Sequence, residues 1–399
     1  MPLLLYRRHS LKPSTQLTIR LGLTQIIGWG SGFYLPAILA VPISMDLGIT
    51  TESFFWAFTI SLLVSGLLGP RVGKAIDRFG GRKVLPIGTL SFALGLSIMA
   101  ISVNFPMLVI GWTLVGIGAS MGNYDAAFAT AVNFFAEKSN KVIAGITVFA
   151  GFSSTISWPL TTLMLEQFGW REAVWLWVVL HVAVNLPLHL TIPKSEMREV
   201  TDLTGPIRKL VKNKFRFDLL VVIFAVMFAL EGFIVSAVNT TLPFLLSELG
   251  ATSAVALLAA TILGPSQVLA RVLMVALDRW LTPMSIAFIS IVAHPLGVLL
   301  VLLFGVDALI PFVILHGIGV GLNPFIRGSL PLLFFGADHY GQRQGYIMML
   351  SKIVSALSPT LLTLLVLSDP ILGIQVTGVL GVLALLLLGA LELIRRARS

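Results

Sequence analysis

The chain has 399 residues, of which 56% are hydrophobic and only 11% are charged, against about 25% charged in a soluble globular domain. That deficit excludes an ordinary water-soluble fold, because most of the surface has to face lipid. The formal net charge of +9 raises nucleic acid as a partner until its distribution is considered, and the absence of cysteine excludes disulfides and thiolate metal sites.

Taken in chain order, the opening "MPLLLYRRHSLKPSTQLTIRLG" is basic but lacks a short apolar core followed by a small-residue cleavage site, so no cleavable leader is expected. A helix needs about 20 mostly apolar residues to cross hydrocarbon. Counting such runs, with Gly, Pro and charge clusters as breaks, predicts twelve spans near 20–43, 54–75, 83–103, 106–135, 142–165, 172–192, 217–246, 253–277, 283–305, 308–335, 343–367 and 370–394. The fourth and tenth are long enough to tilt.

Twelve spans put both termini on one side and divide the loops into two sets. Of the 27 Lys and Arg, all but Arg171, Arg271, Arg327 and Lys352 fall in the set that holds the termini. Basic loops stay in the cytoplasm, so both termini are expected there, in a multi-pass protein of a bacterial inner membrane. The charge is thus an orientation signal, and nucleic-acid binding loses its support.

The chain also resembles itself at a spacing of about 200 residues. "AIDRF" (75–79) matches "ALDRW" (276–280), "DLGIT" (46–50) matches "ELGAT" (248–252), "GIG" recurs at 116–118 and 317–319, and "WPLTTLML" (158–165) matches "SPTLLTLL" (358–365). The expected fold is therefore an all-α membrane protein of two pseudo-symmetric six-helix bundles, 1–192 and 217–399, joined by a basic linker at 193–216. Such repeats mark transporters.

At this point "GKAIDRFGGRKVL" (73–85) resembles the loop motif of the major facilitator superfamily, Gly-x-x-x-Asp-Arg-x-Gly-x-Arg-Lys, on Gly73, Asp77, Arg78, Gly80 or Gly81, Arg82 and Lys83. The resemblance implies two bundles rocking about a central cavity lined mainly by spans 1, 4, 7 and 10, with help from 2, 5, 8 and 11. Asp77 ends a helix, where a carboxylate opposes the macrodipole unless paired. Nearby arginines can pair with it and Gly73 admits a neighbouring helix. Gly73, Asp77, Arg78 and Arg82, with the repeat equivalents Asp278 and Arg279, are thus a candidate conformational latch; in the plainer reading Arg82 and Lys83 are only anchors. Two departures weigh against a proton-driven drug exporter. Trp112 stands where the family often has an arginine linked to proton coupling, and Trp158-Pro159 replaces the Gly-Pro pair that drug antiporters favour.

Five ionisable residues remain inside spans: Asp125, Glu231, Arg271, Arg327 and Lys352. Each costs about 2.5–3.5 kcal/mol at a helix centre and is a functional candidate by default. Counting 1.5 Å per residue from each span's midpoint sets them in one layer roughly 0–9 Å from the middle. Asp125 and Arg327 lie one position apart in the repeat alignment and are expected to reach each other across the cavity. His316, Asn323 and Arg327 share a stripe of span 10; Gln267 precedes Arg271 by a turn; Gln25 and Trp29 share a face of span 1; Tyr124 adjoins Asp125.

Three cations with two carboxylates, amides and aromatics suit a small anion, since a planar guanidinium gives a carboxylate two parallel hydrogen bonds. An arginine in span 8 with a lysine in span 11 resembles the oxalate/formate branch, where that pair binds carboxylates; Arg271 and Lys352 occupy those places. "NYDAAFAT" and "FIRGSLPL" resemble bacterial relatives of monocarboxylate carriers. The substrate-binding set is therefore Arg271, Arg327, Lys352, Asn323, His316, Gln25, Trp29, Tyr124 and Gln267. Asp125 and Glu231 are candidates for proton coupling or an inter-bundle bridge, Glu231 also as a partner for Lys352. His294, beside Pro295, reads as a core residue.

The expected function is secondary transport of a mono- or dicarboxylate by alternating access, coupled to protons or to a counter-anion, by a monomer without metal or cofactor. Efflux of drugs or amphipathic metabolites is the rival reading. No nucleophile elbow and no His/Asp/Glu cluster with ligand spacing speak for an enzyme.

Overall fold

The computed structural model describes residues 12–193 and 218–398. All of the linker expected at 193–216 except its first residue lies outside the described residues. Among them the secondary structure is helical throughout, without strands.

The first element, α1 (Pro13–Trp29), runs through a π-helical turn at Gly30–Tyr34 into α2 (Pro36–Asp46). Pro36 explains the turn. It has no N–H for the carbonyl four residues back, and the Leu35 N–H reaches to Gly30 O instead at 2.9 Å, bending the pair by 44°. α3 (Thr51–Phe79) and α4 (Gly81–Ala100) follow, then α5 (Phe105–Gly122), α6 (Tyr124–Phe135), a 3-10 turn at Ala136–Ser139, α7 (Asn140–Gly151) and α8 (Ser153–Phe168). After α9 (Trp170–Leu180), a second π-turn at His181–Asn185 precedes α10 (Leu186–Leu190) and again lies just before a proline, Pro187.

The second half of the chain has longer helices: α11 (Leu219–Glu248), α12 (Ser253–Ala276), α13 (Pro283–Phe304), α14 (Leu309–Phe335), α15 (Tyr340–Ser368) and α16 (Pro370–Arg398). Polar caps mark where the apolar runs begin. Thr50, Asn104, Asp218 and Thr252 each accept an N–H of the first turn, and Thr282 with Ser285 closes a capping box.

Among the described residues nine helical stretches are long and apolar enough to cross a membrane, or ten when the bent pair at 13–46 is taken as one. Their outer faces carry exposed Leu90, Leu94, Val182, Leu303, Leu386 and Leu393. The protein is a multi-pass membrane protein. Two stretches, Phe105–Phe168 with 64 residues and Pro283–Phe335 with 53, double back on themselves. Arg171 donates to the Ser102 carbonyl at 2.8 Å, which brings the two ends of the first together, and α13 packs along α14 in the second.

The span expected over 106–135 is broken at Asn123, whose backbone is extended (φ −82°, ψ −170°), and the span expected over 142–165 is broken at Phe152. The first break restarts the helix so that Asp125 falls in the opening turn of α6.

Buried apolar side chains form three clusters. One is confined to the first half of the chain, from Ile27 to Val178, and another to the second, from Ile234 to Ile374. The third mixes both, uniting Leu17, Val72, Ile76 and Ile143 with Leu220, Phe224, Ile326, Ile347 and Met348. The halves are therefore joined at one end and separate at the other. The joined end carries Arg71, Lys74, Arg78 and Lys141, all exposed.

Candidate functional site

The site lies where the joined end gives way to the separated one. Asp125 and Lys352 meet there, Nζ to Oδ2 at 2.7 Å, both half-buried. Arg327, the partner expected for Asp125, is within electrostatic reach of it, but the ion pair is made by Lys352. The break at Asn123 turns Asp125 toward α15, and Gly66 of α3 makes room for the Lys352 stem. Lys352 also stands 3.4 Å from Ser65 Oγ, and Gln344 Nε2 lies 3.5 Å from Asp125 Oδ1 while donating to Arg327 O at 2.9 Å.

Arg327 contacts Ser351 Oγ through Nη2 at 3.4 Å, and its Nε is buried without a hydrogen-bond partner. Asp125, Glu231 and Tyr124 are within electrostatic reach. Glu231 is buried on α11 and accepts from Asn323 Nδ2 at 3.2 Å, so its neighbour is the amide, in place of the expected Lys352. The expected stripe on α14 divides. Asn323 faces Glu231, whereas His316 turns to Asn239 at 3.1 Å and to His294 at 2.9 Å. His294 is thus bonded within the core beside His316.

Arg271 is buried on α12, its Nε donating to Gly321 O at 2.9 Å. Its Nη1 sits against Gly151, where a Cβ would overlap it; only a glycine on α7 leaves this space. No carboxylate lies within ion-pair distance of Arg271 among the described residues, while the Tyr34 and Tyr124 hydroxyls are within electrostatic reach. Gln267, one turn earlier, is half-buried.

Gln25 and Trp29 brace the first half. Gln25 donates to Gly122 O at 2.8 Å, satisfying the last carbonyl of α5 at the helix break, and accepts from Trp29 Nε1 at 3.2 Å. Trp29 packs on Tyr124 with ring centroids 5.0 Å apart, and Tyr124 stacks on Phe128.

A family model described as Major Facilitator Superfamily matches residues 21–359. This chain belongs to the major facilitator superfamily. A triacylglyceride transporter of Mycolicibacterium smegmatis is 26% identical over 171 residues, 41% of this chain and 30% of the relative. Probable anion transporter 6, chloroplastic, of Arabidopsis thaliana is 29% identical over 138 residues, 34% and 25% of the two chains. The chain thus spans about a third or less of the length of these curated relatives. Among solved structures, the human organic anion transporter MFSD10 (TETRAN) superposes with a TM-score of 0.70 at 15% identity, over 95% of this chain and 100% of that one. The proton:xylose symporter XylE gives 0.68 at 14%, over 94% of each. At such identities these two show a common fold.

In this member of the major facilitator superfamily, the loop-motif carboxylate crosses to the other half. Asp77 accepts the backbone N–H groups of Gly341 and Gln342, both at 2.8 Å. The two donors belong to the first turn of α15, whose N-terminal dipole favours an anion, and Arg343 is within electrostatic reach. Gly73 lies so close to the Gly341 carbonyl that a Cβ would overlap it. Arg78 stacks over Phe79 and Arg279 over Trp280, Arg82 is exposed, and Asp278 pairs with Lys141 at 3.0 Å in an exposed bridge. Sequence reading missed Gly151, Tyr34, Ser65, Gln344 and Ser351. All are small or uncharged, and only their positions beside Arg271, Arg327 and Lys352 single them out.

Proposed function

We propose that the chain is a secondary active transporter that moves a small organic anion, a mono- or dicarboxylate, by alternating access. One observation carries the reading: the five charged residues inside the spans are three cations and two carboxylates, and Arg271 has no carboxylate partner within ion-pair distance among the described residues. A buried guanidinium without a counter-charge is unfavourable, so an anionic guest supplies what the fold leaves out. The pairing of Arg271 with Lys352 fits the oxalate/formate branch of the superfamily.

In this reading each folded-back stretch counts as two crossings, which brings the ten segments to twelve, in bundles 1–192 and 217–399 around a linker at 193–216. The basic end and both termini face the cytoplasm of a bacterial inner membrane. The joined basic end then makes this an outward-open state. Incoming carboxylate competes with Asp125 for Lys352, loosening the tie between the halves and coupling occupancy to rocking. A proton on Asp125 or Glu231, or exchange against a second anion, supplies the coupling, and a monomer suffices.

Purified protein in liposomes is expected to accumulate a labelled carboxylate saturably, and Arg271→Ala to abolish uptake while the protein stays folded and monodisperse. Uptake that survives loss of Arg271, Arg327 and Lys352 alike would sink the site assignment. Relatives named as triacylglyceride and multidrug transporters favour export of amphipathic molecules as the second reading; loss of resistance on deletion, with no carboxylate uptake, would select it.

A further inference from the structure

Resting on that proposed carboxylate site, we infer that its substrate is a monocarboxylate bearing an aromatic ring, with the carboxylate on Arg271 and the ring against Tyr34 and Trp158. The two sides of Arg271 differ in chemistry. Toward α14 and α15 lie the other charges: Lys352 paired with Asp125, Glu231 accepting from Asn323, and Arg327 in contact with Ser351. Toward the first half there are rings. Tyr34, within electrostatic reach of Arg271, meets Trp158 edge-on with centroids 5.7 Å apart, and Phe33 stands edge-on to Tyr34 at 5.4 Å.

A wide-open groove of about 650 Å³ continues from this point along one face of α8, all its lining residues, Ser154, Thr155, Trp158, Thr162 and Glu166 among them, lying on that helix. The halves touch below it, through α7 and α12, so the groove lies beyond the contact and leads outward. Trp158 and Phe33 are 44% and 40% exposed, leaving ring faces available beside a buried cation.

The surroundings of Arg271 favour a guest with one carboxylate. The groove beyond Trp158 offers no second cation among its lining residues, and Glu166, about 12 Å further along the helix at 1.5 Å per residue, repels a second carboxylate. An aryl ring, by contrast, finds edge-to-face partners.

The test is isothermal titration of the detergent-purified full chain with benzoate, acetate, malonate and benzamide. Benzoate is expected to bind about tenfold tighter than acetate or malonate, and benzamide not at all. Trp158→Leu should lower benzoate affinity about fivefold and acetate affinity by less, consistent with the strength of one aromatic contact. Arg271→Gln, checked for folding by circular dichroism, should remove carboxylate binding altogether. If acetate or malonate matches benzoate, or Trp158→Leu weakens all carboxylates equally, the aryl assignment is overturned while the carboxylate site stands. If benzamide binds and no carboxylate does, both fall.

Discussion

Asp125, in the first turn of α6, and Lys352, in the middle of α15, form a 2.7 Å ion pair between residues 227 positions apart in sequence. Among the described residues it is the one ion pair formed by the five charged residues inside the spans. Removing a partner from a buried pair costs about 3–5 kcal/mol because the other charge is stranded; with both side chains about a fifth to a quarter exposed, about 2 kcal/mol is the expectation. Lys352→Ala should therefore lower the midpoint of thermal unfolding in detergent, whereas the double variant Asp125→Asn/Lys352→Gln should recover most of the loss and still fail to transport. Equal destabilisation by the single and double variants would show that the pair does not act as a unit.

Gln25 offers a separate test of how a broken helix is tolerated in lipid. Its amide donates to the Gly122 carbonyl at 2.8 Å, the group that the interruption at Asn123 leaves outside the helical ladder. Backbone groups in a membrane must be satisfied internally. Gln25→Leu keeps the volume and strands that carbonyl, at a cost of about 1–3 kcal/mol. The drop should appear in thermal unfolding, and the Trp29 indole, which donates to the same amide, should show altered fluorescence.

Charge in an apolar run is conspicuous, which is why Asp125, Glu231, Arg271, Arg327 and Lys352 could be named from sequence, along with most helical segments and the segregation of basic loops. Which carboxylate meets which cation was not legible. It depends on helix phase, and the break at Asn123 resets the phase of Asp125 so that Lys352 is nearer than Arg327. The π-turns before Pro36 and Pro187 are equally local and shift every side chain that follows. The ring face beside Arg271 stayed hidden for another reason: Tyr34 and Trp158 are 124 residues apart, and aromatic residues are ordinary in a membrane helix.

Arg271→Lys is expected to transport almost as poorly as Arg271→Ala. Lysine keeps the charge but loses the planar fork and the Nε–H that donates to Gly321. A charge-assisted hydrogen bond contributes about 1.5–3 kcal/mol, so initial uptake at low substrate should fall roughly tenfold to a hundredfold. Near-normal uptake by the lysine variant would mean that Arg271 acts only as a diffuse positive charge.

The two repeat-related carboxylates at the basic end should behave differently when removed. Asp77 is half-buried and holds two backbone N–H groups of α15 at 2.8 Å, so Asp77→Ala loses two charge-assisted bonds that exist only while this end is joined. Asp278 meets Lys141 in a bridge whose side chains are 47% and 85% exposed, and such pairs contribute about 0–1 kcal/mol. Because the chain has no cysteine, Met348→Cys, at a position buried in the shared cluster, can report opening by maleimide labelling without background. Labelling should rise about tenfold or more in the Asp77→Ala background and stay near the parent rate with Asp278→Ala. Equal rises in both would show that net charge at this end, rather than the Asp77 contact with α15, keeps it closed.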